Sequence, residues 1–307
     1  MEIYNDNLTE KQKKENKKPK KGFTPDGKER TYRFLHPSER NFGVPFWEKL
    51  VFFLRGFIGL SILSTLVSAI LRATPYFNAE TSELTPKGNA LLMFFSYGLL
   101  LAAFLLFLFF DGRKTYCKLF KDFVNFKTYI YGLVGFFALI LVNIFFNSIY
   151  NALIPDYGAN ANQTSIETRR KASPFFSIVT VVLFAPFCEE MTYRAGLLDR
   201  VGKRKRIVGV IVSALVFGLI HFDFSSGLLR VVSAGNQEAF EAYRMSFVNE
   251  LLNLPVYVFS GAVLGLTYVS SGKLGSSMVS HLRLNALSSI EVMALSSQVA
   301  LLPFVLF

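Results

Sequence analysis

Tryptophan occurs once, cysteine twice and histidine three times in 307 residues. The two cysteines, Cys117 and Cys188, stand far apart, one in a basic loop and one in an apolar run, which excludes a disulfide framework or a CxxC metal knuckle. No HExxH word occurs, so nothing favours the zinc-protease helix that carries two histidines one turn apart. Internal repeats and matching broken spans are missing too, and a proton-relaying transporter would be expected to have them. The opening segment lacks the apolar core and small-residue cleavage site of a signal peptide and is expected to stay on the mature protein. What the chain has in excess is apolar side chain: 51% of residues are hydrophobic and 15% aromatic, with 33 phenylalanines. That is too apolar for an ordinary soluble domain.

Charged residues crowd into positions 1 to 49 and a few short stretches, leaving apolar runs long enough to cross the ~30 Å hydrocarbon layer. The pattern predicts an all-α polytopic transmembrane helix bundle of seven or eight spans, near 50–71, 89–110, 128–153, 174–199, 207–222, 248–269 and 274–291. An eighth apolar stretch, 292–307, either crosses or lies in the interface. Lysine and arginine concentrate on the side holding the tail and the 111–127 and 200–206 loops, which puts the N-terminus in the cytoplasm. The net charge is +11, but the Lys11 to Lys21 run contains Pro and Glu and no aromatics to stack bases. Residues 1–49 therefore read as a disordered cytoplasmic tail that fixes orientation and touches anionic lipid, not nucleic acid. Residues 50–173 hold the first three spans. The 224–247 segment has apolar residues at helical spacing and reads as an interfacial helix or lid, or else as a solvated loop.

Ionisable side chains inside apolar spans are costly and call for a partner, a wet cavity or a function. Arg55, Glu250 and Glu291 sit near span ends and can reach the interface. Six others fall into three short words. In EEMTYR, Glu190 and Arg194 are one helical turn apart and can pair, while Glu189 is turned ~100° away from its neighbour and is free to face something else. In FGLIH, His221 follows Gly218, which lets another backbone come close. In HLRLN, His281 and Asn285 share a face and flank Arg283, for which the sequence offers no role.

At about 1.5 Å per residue, Glu189, His221 and His281 lie ~16, ~22 and ~12 Å from the cytoplasmic ends of their spans, a spread that helix tilt can close. Two histidines, a carboxylate and an amide resemble a hydrolase. Glu189 with His221 reads as the base pair that activates water, and His281 with Asn285 as oxyanion donors. A zinc ion held by Glu189, His221 and His281, with its fourth position open, is an equally available arrangement. Packing histidines hydrogen-bonded inside a bundle are the bland alternative.

The three words, in order on separate spans, resemble the EExxxR, FxxxH and HxxxN signatures of the CAAX protease and bacteriocin-processing (CPBP, or Abi) membrane family, over about residues 174 to 290. The resemblance implies a membrane-embedded endopeptidase whose core is residues 174–291, often labelled a metalloprotease, in an integral protein of a bacterial plasma membrane. It also implies roles: Glu189 and His221 activate water, Glu190 and Arg194 support them, and His281 with Asn285 binds the oxyanion. The expected substrate is a peptide or a membrane-proximal segment of a protein. The second reading is a non-proteolytic relative acting as a bacteriocin self-immunity factor or as a regulator of a membrane partner.

Overall fold

The computed structural model describes residues 46–111, 113–154, 157–198, 206–224 and 235–296. Nearly all of the basic tail and of the 200–206 loop, residues 225–234 of the expected lid, and the C-terminal stretch from 297 onward lie outside the described residues.

Among the described residues the chain is almost entirely helical. Helix α1 (Phe46–Leu71) ends where Thr74 Oγ1 donates to the Leu71 carbonyl at 2.7 Å, just before Pro75. A minimal antiparallel hairpin, β1 (Phe77–Asn78) with β2 (Glu83–Leu84), leads into α2 (Pro86–Asp111). A short helix α3 (Arg113–Val124) precedes α4 (Phe126–Leu153), whose start is fixed by the Asn125 side chain accepting from the Lys127 N–H at 3.0 Å. Asn160 caps α5 (Ala161–Ala172) in the same way through Gln163. Then come α6 (Pro174–Leu197), α7 (Arg206–Leu219), α8 (Gln237–Ser271) and α9 (Leu274–Ser296). Asn236 caps α8 through the Ala239 N–H, which is why this helix begins well before its apolar part.

The expected fold class, a helical membrane bundle, is what the chain forms. Among the described residues, five helical stretches are long and apolar enough to cross a bilayer: Phe53–Leu71, Pro86–Phe110, Phe126–Leu153, Pro174–Leu197 and Gln237–Ser271. The expected span at 207–222 is a shorter helix that ends at Leu219 and turns at 220 and 221, so His221 sits on a turn and not on a helix. The expected span at 274–291 is the 23-residue α9, and its serines, His281, Arg283 and Asn285 keep it out of the apolar class. Helices α3 and α5 occupy stretches that read as loops, because a short polar helix leaves no apolar run to detect.

Helix α8 packs along α7 and α4, α9 lies along α4, and α1 packs against α2 and the second half of α6. The outward faces are apolar: Ile62, Leu66 and Ile70 of α1 and Val134, Leu141 and Phe145 of α4 are exposed. The buried part of α9 is rich in polar groups, with Ser276, Ser277, Ser280, His281 and Ser289 buried beside Leu274, Met278 and Val279. Helices in lipid gain little by hiding apolar surface from one another and associate through close packing and polar contacts. Gly218 shows how close: a Cβ there would lie 3.2 Å from the Val258 backbone nitrogen of α8.

Candidate active site

Helix α6 carries both glutamates and is not a uniform α-helix. Wide, five-residue-bonded turns at Val179–Phe184 and Met191–Leu197 flank the α-helical segment Ala185–Glu190. Proline explains the first. The Ala185 N–H reaches back to the Thr180 carbonyl, and the next bond in that register would join residue 186 to the Val181 carbonyl. Pro186 has no N–H to give. Asn285 Nδ2 of α9 donates to the Val181 carbonyl instead, at 2.8 Å, so a side chain replaces the missing backbone donor. Widened turns of this kind gather at functional sites.

The two glutamates then diverge. The Glu190 side chain is fully buried, with Oε2 3.1 Å from Arg194 Nε, whose side chain is also fully buried. Ser277 Oγ also donates to Glu190 Oε2, and His281 Nδ1 lies 3.2 Å from Oε1. Arg194 donates from Nη1 to Ser213 Oγ of α7 at 3.1 Å and stacks over the Phe217 ring at 5.0 Å. Among the described residues its Nη2 has no hydrogen-bond partner. The Nε–H is not aimed along the carboxylate, so the contact with Glu190 is an ion pair of close charges more than a linear hydrogen bond. Glu189 keeps some exposure. Tyr97 OH of α2 donates to its Oε1 at 3.2 Å, and its Oε2 lies 3.8 Å from His281 Nε2.

His221 is held differently. Its Nδ1 lies 2.7 Å from the Phe217 carbonyl, so this nitrogen is the N–H donor and Nε2 is left for other partners. The ring stacks on Tyr257 of α8, with centroids 4.5 Å apart and planes 11° from parallel.

One cavity of about 1250 Å³ connects these groups. Glu189, His221, His281 and Asn285 line it, whereas Glu190 and Arg194 lie behind its wall. The three sequence words thus reach one place: His281 stands 3.8 Å from Glu189, and His221 lines the same cavity. Asn285 has one amide hydrogen committed to Val181, leaving its second for a ligand. Among the described residues no three His, Cys, Asp or Glu side chains gather closely enough to hold a metal ion. The chemistry below is derived from the side chains themselves.

Sequence reasoning missed several partners. Ser277 stands one turn before His281 on the same face, so its spacing was a usable signal. Tyr97 is one of 13 tyrosines, in an apolar span far upstream, and carried none. Glu250, expected to reach the interface, is buried and accepts from two backbone N–H groups, Ala161 at 2.6 Å and Asp223 at 3.1 Å. It ties the segment after His221 to the start of α5. Arg55 is exposed over the Phe107 ring, in keeping with an interfacial position. The Glu291 side chain lies outside the described residues.

Comparison with known families places this geometry. Residues 171–287 match the family model described as type II CAAX prenyl endopeptidase Rce1-like. This segment is similar to an Rce1-like domain. It begins just before α6 and ends within α9, so it holds both glutamates, Arg194, both cavity histidines and Asn285, but not Tyr97. The UPF0177 protein YvdC of Lactococcus lactis subsp. lactis (strain IL1403) is 29% identical over 89 residues, 29% of this chain. The chain spans only 34% of that relative's length. No solved structure matches. By this match and its apolar helices, the chain is similar to CAAX-protease-like membrane proteins.

Proposed function

We propose that the protein is an intramembrane endopeptidase that hydrolyses a peptide bond in a peptide or in the membrane-proximal segment of a protein. The observation that carries this reading is the meeting of Glu189 and His281 on a cavity wall, 3.8 Å apart, with the buried Glu190–Arg194 pair behind them. Glu189 takes a proton from water as the water oxygen forms a bond to the substrate carbonyl carbon. Negative charge develops on the former carbonyl oxygen, where the free amide hydrogen of Asn285 and, in the doubly protonated ring, the Nε2–H of His281 supply donors. The tetrahedral intermediate then collapses by breaking its C–N bond, and the proton held by Glu189 passes to the departing nitrogen. Tyr97 fixes one oxygen of Glu189, leaving the other for water. Glu190 accepts from His281 Nδ1–H and so directs Nε2 toward the cavity.

The test compares membrane peptides from cells carrying the wild-type protein and Glu189→Gln at matched expression. New termini that appear only with the wild type are the expected result. If the variant retains full biological activity and no peptide differs, the non-proteolytic immunity or regulatory reading replaces this one.

A further inference from the structure

The last turn of α5 presents Arg169, Arg170 and Lys171 to the same cavity. Arg170 is only 4% exposed and donates from Nη1 to the Ser288 carbonyl of α9 at 3.3 Å. Arg169 is half-buried and donates to Ser165 Oγ on its own helix. Neither guanidinium forms an ion pair among the described residues. Glu167, the one acid of α5, accepts from Gln163 Nε2 at 3.0 Å and acts on Arg170 only over a longer range. Burial pushes both guanidiniums below their ordinary range, as it does for cations short of compensating charge.

A buried cation is costly unless an anion meets it, and the planar guanidinium fork suits a carboxylate better than any other common partner in a peptide. Ser288 stands two turns beyond His281 on α9, ~10 Å along the axis, a distance that a short extended peptide covers. A lipid phosphate would sit at the rim of the bundle, whereas Arg170 lies inside it.

We propose that Arg169 and Arg170 form a carboxylate-recognition subsite, taking either the free C-terminal carboxylate of a peptide substrate or an acidic side chain near its cleaved bond. This rests on the endopeptidase reading for the word substrate, and the test keeps the two apart.

Binding is read by fluorescence anisotropy with full-length Glu189→Gln protein in phosphatidylcholine nanodiscs, so that no peptide is consumed. The probes are fluorescein-labelled apolar nonapeptides in three matched forms: a free C-terminal acid, a C-terminal amide, and a C-terminal amide with one internal Glu. At least one carboxylate form should bind ~10-fold or more tightly than the plain amide, the worth of a charge-assisted hydrogen bond. Whichever form holds the advantage identifies the source of the carboxylate, and either supports the subsite. Adding Arg170→Gln should remove the advantage. Because Arg170 also ties α5 to α9, Arg169→Gln is measured beside it, and Arg169→Lys should restore part of what Arg169→Gln loses. Equal binding of all three forms, including none, overturns the proposal, as does an advantage that survives both Gln substitutions. An advantage that vanishes when the discs contain phosphatidylglycerol also overturns it, since a lipid phosphate then owns the site. Selective carboxylate binding, with no cleavage of any probe by protein carrying Glu189, would leave the anion site standing and count against the endopeptidase reading alone.

Discussion

Helices α4 and α9 lie side by side and follow opposite rules. α4 turns Val134, Leu141 and Phe145 outward and buries Thr128, Gly132, Gly135 and Asn147 beside a single large apolar side chain, Leu139. Between positions 276 and 281, α9 buries three serines and His281 along with Met278 and Val279. In water the buried face is the apolar one. Here the apolar face costs nothing outside, and the buried faces of these two helices can give room to small and polar groups that fasten one helix to the next. Hydropathy therefore finds the wall of the bundle more readily than its centre, and the chemistry lies in the centre.

The comparison breaks most visibly at α6. Arg194→Ala leaves the buried Glu190 without its counter-charge and should cost ~3–5 kcal/mol, lowering folded membrane yield and the thermal midpoint together. The double change Glu190→Gln with Arg194→Met should recover part of the yield, and no recovery would mean that charge is not what the pair contributes. Glu189→Gln should behave in the contrary way, with normal yield and a turnover loss of ~10²-fold or more in a peptide-cleavage assay. Asn285→Ala should do some of both. Orphaning the Val181 carbonyl should cost ~1–3 kcal/mol of stability, and turnover should fall as an oxyanion donor is lost. An unchanged melting curve would mean that water takes over the carbonyl.

The smallest effects sharpen the contrast between faces. A Cβ at Gly135 would lie 2.4 Å from Ser280 Oγ and 2.5 Å from Thr267 Oγ1. Gly135→Ala should therefore cost ~1–3 kcal/mol by overpacking. Leu141→Ala, on the outward face of the same helix, should stay within ~0.5 kcal/mol. Equal melting shifts for the two would erase the distinction between inner and outer faces.

The three polar words were legible because each places an expensive group where hydropathy says lipid should be, and the Glu190–Arg194 pair followed from spacing alone. The partnering across helices was not legible. That His281 stands beside Glu189 depends on how α9 crosses α6, and no periodicity within one helix encodes a crossing. Tyr97 joins the site from a span outside the Rce1-like segment, where nothing distinguishes it from its aromatic neighbours. Glu250 reads as interfacial by its position near a span end, yet two backbone N–H groups draw it inside. Helices α3 and α5 escaped because polar helices of 12 residues resemble loops when apolar runs are the signal.

Pro186 leaves α6 one donor short, and Asn285 makes up the deficit from another helix. Helix α9 cannot slide or rotate against α6 without exposing the bare Val181 carbonyl, so the spacing of Glu189 from His281 is set by a tether lying one turn from His281 and about two turns from Glu189. Ordinary helix packing tolerates small slips, while this junction has a preferred notch. An alanine at position 186 would bring its own N–H into competition for the same oxygen, turning a fixed joint into a loose one while leaving every residue that faces the cavity in the sequence unchanged.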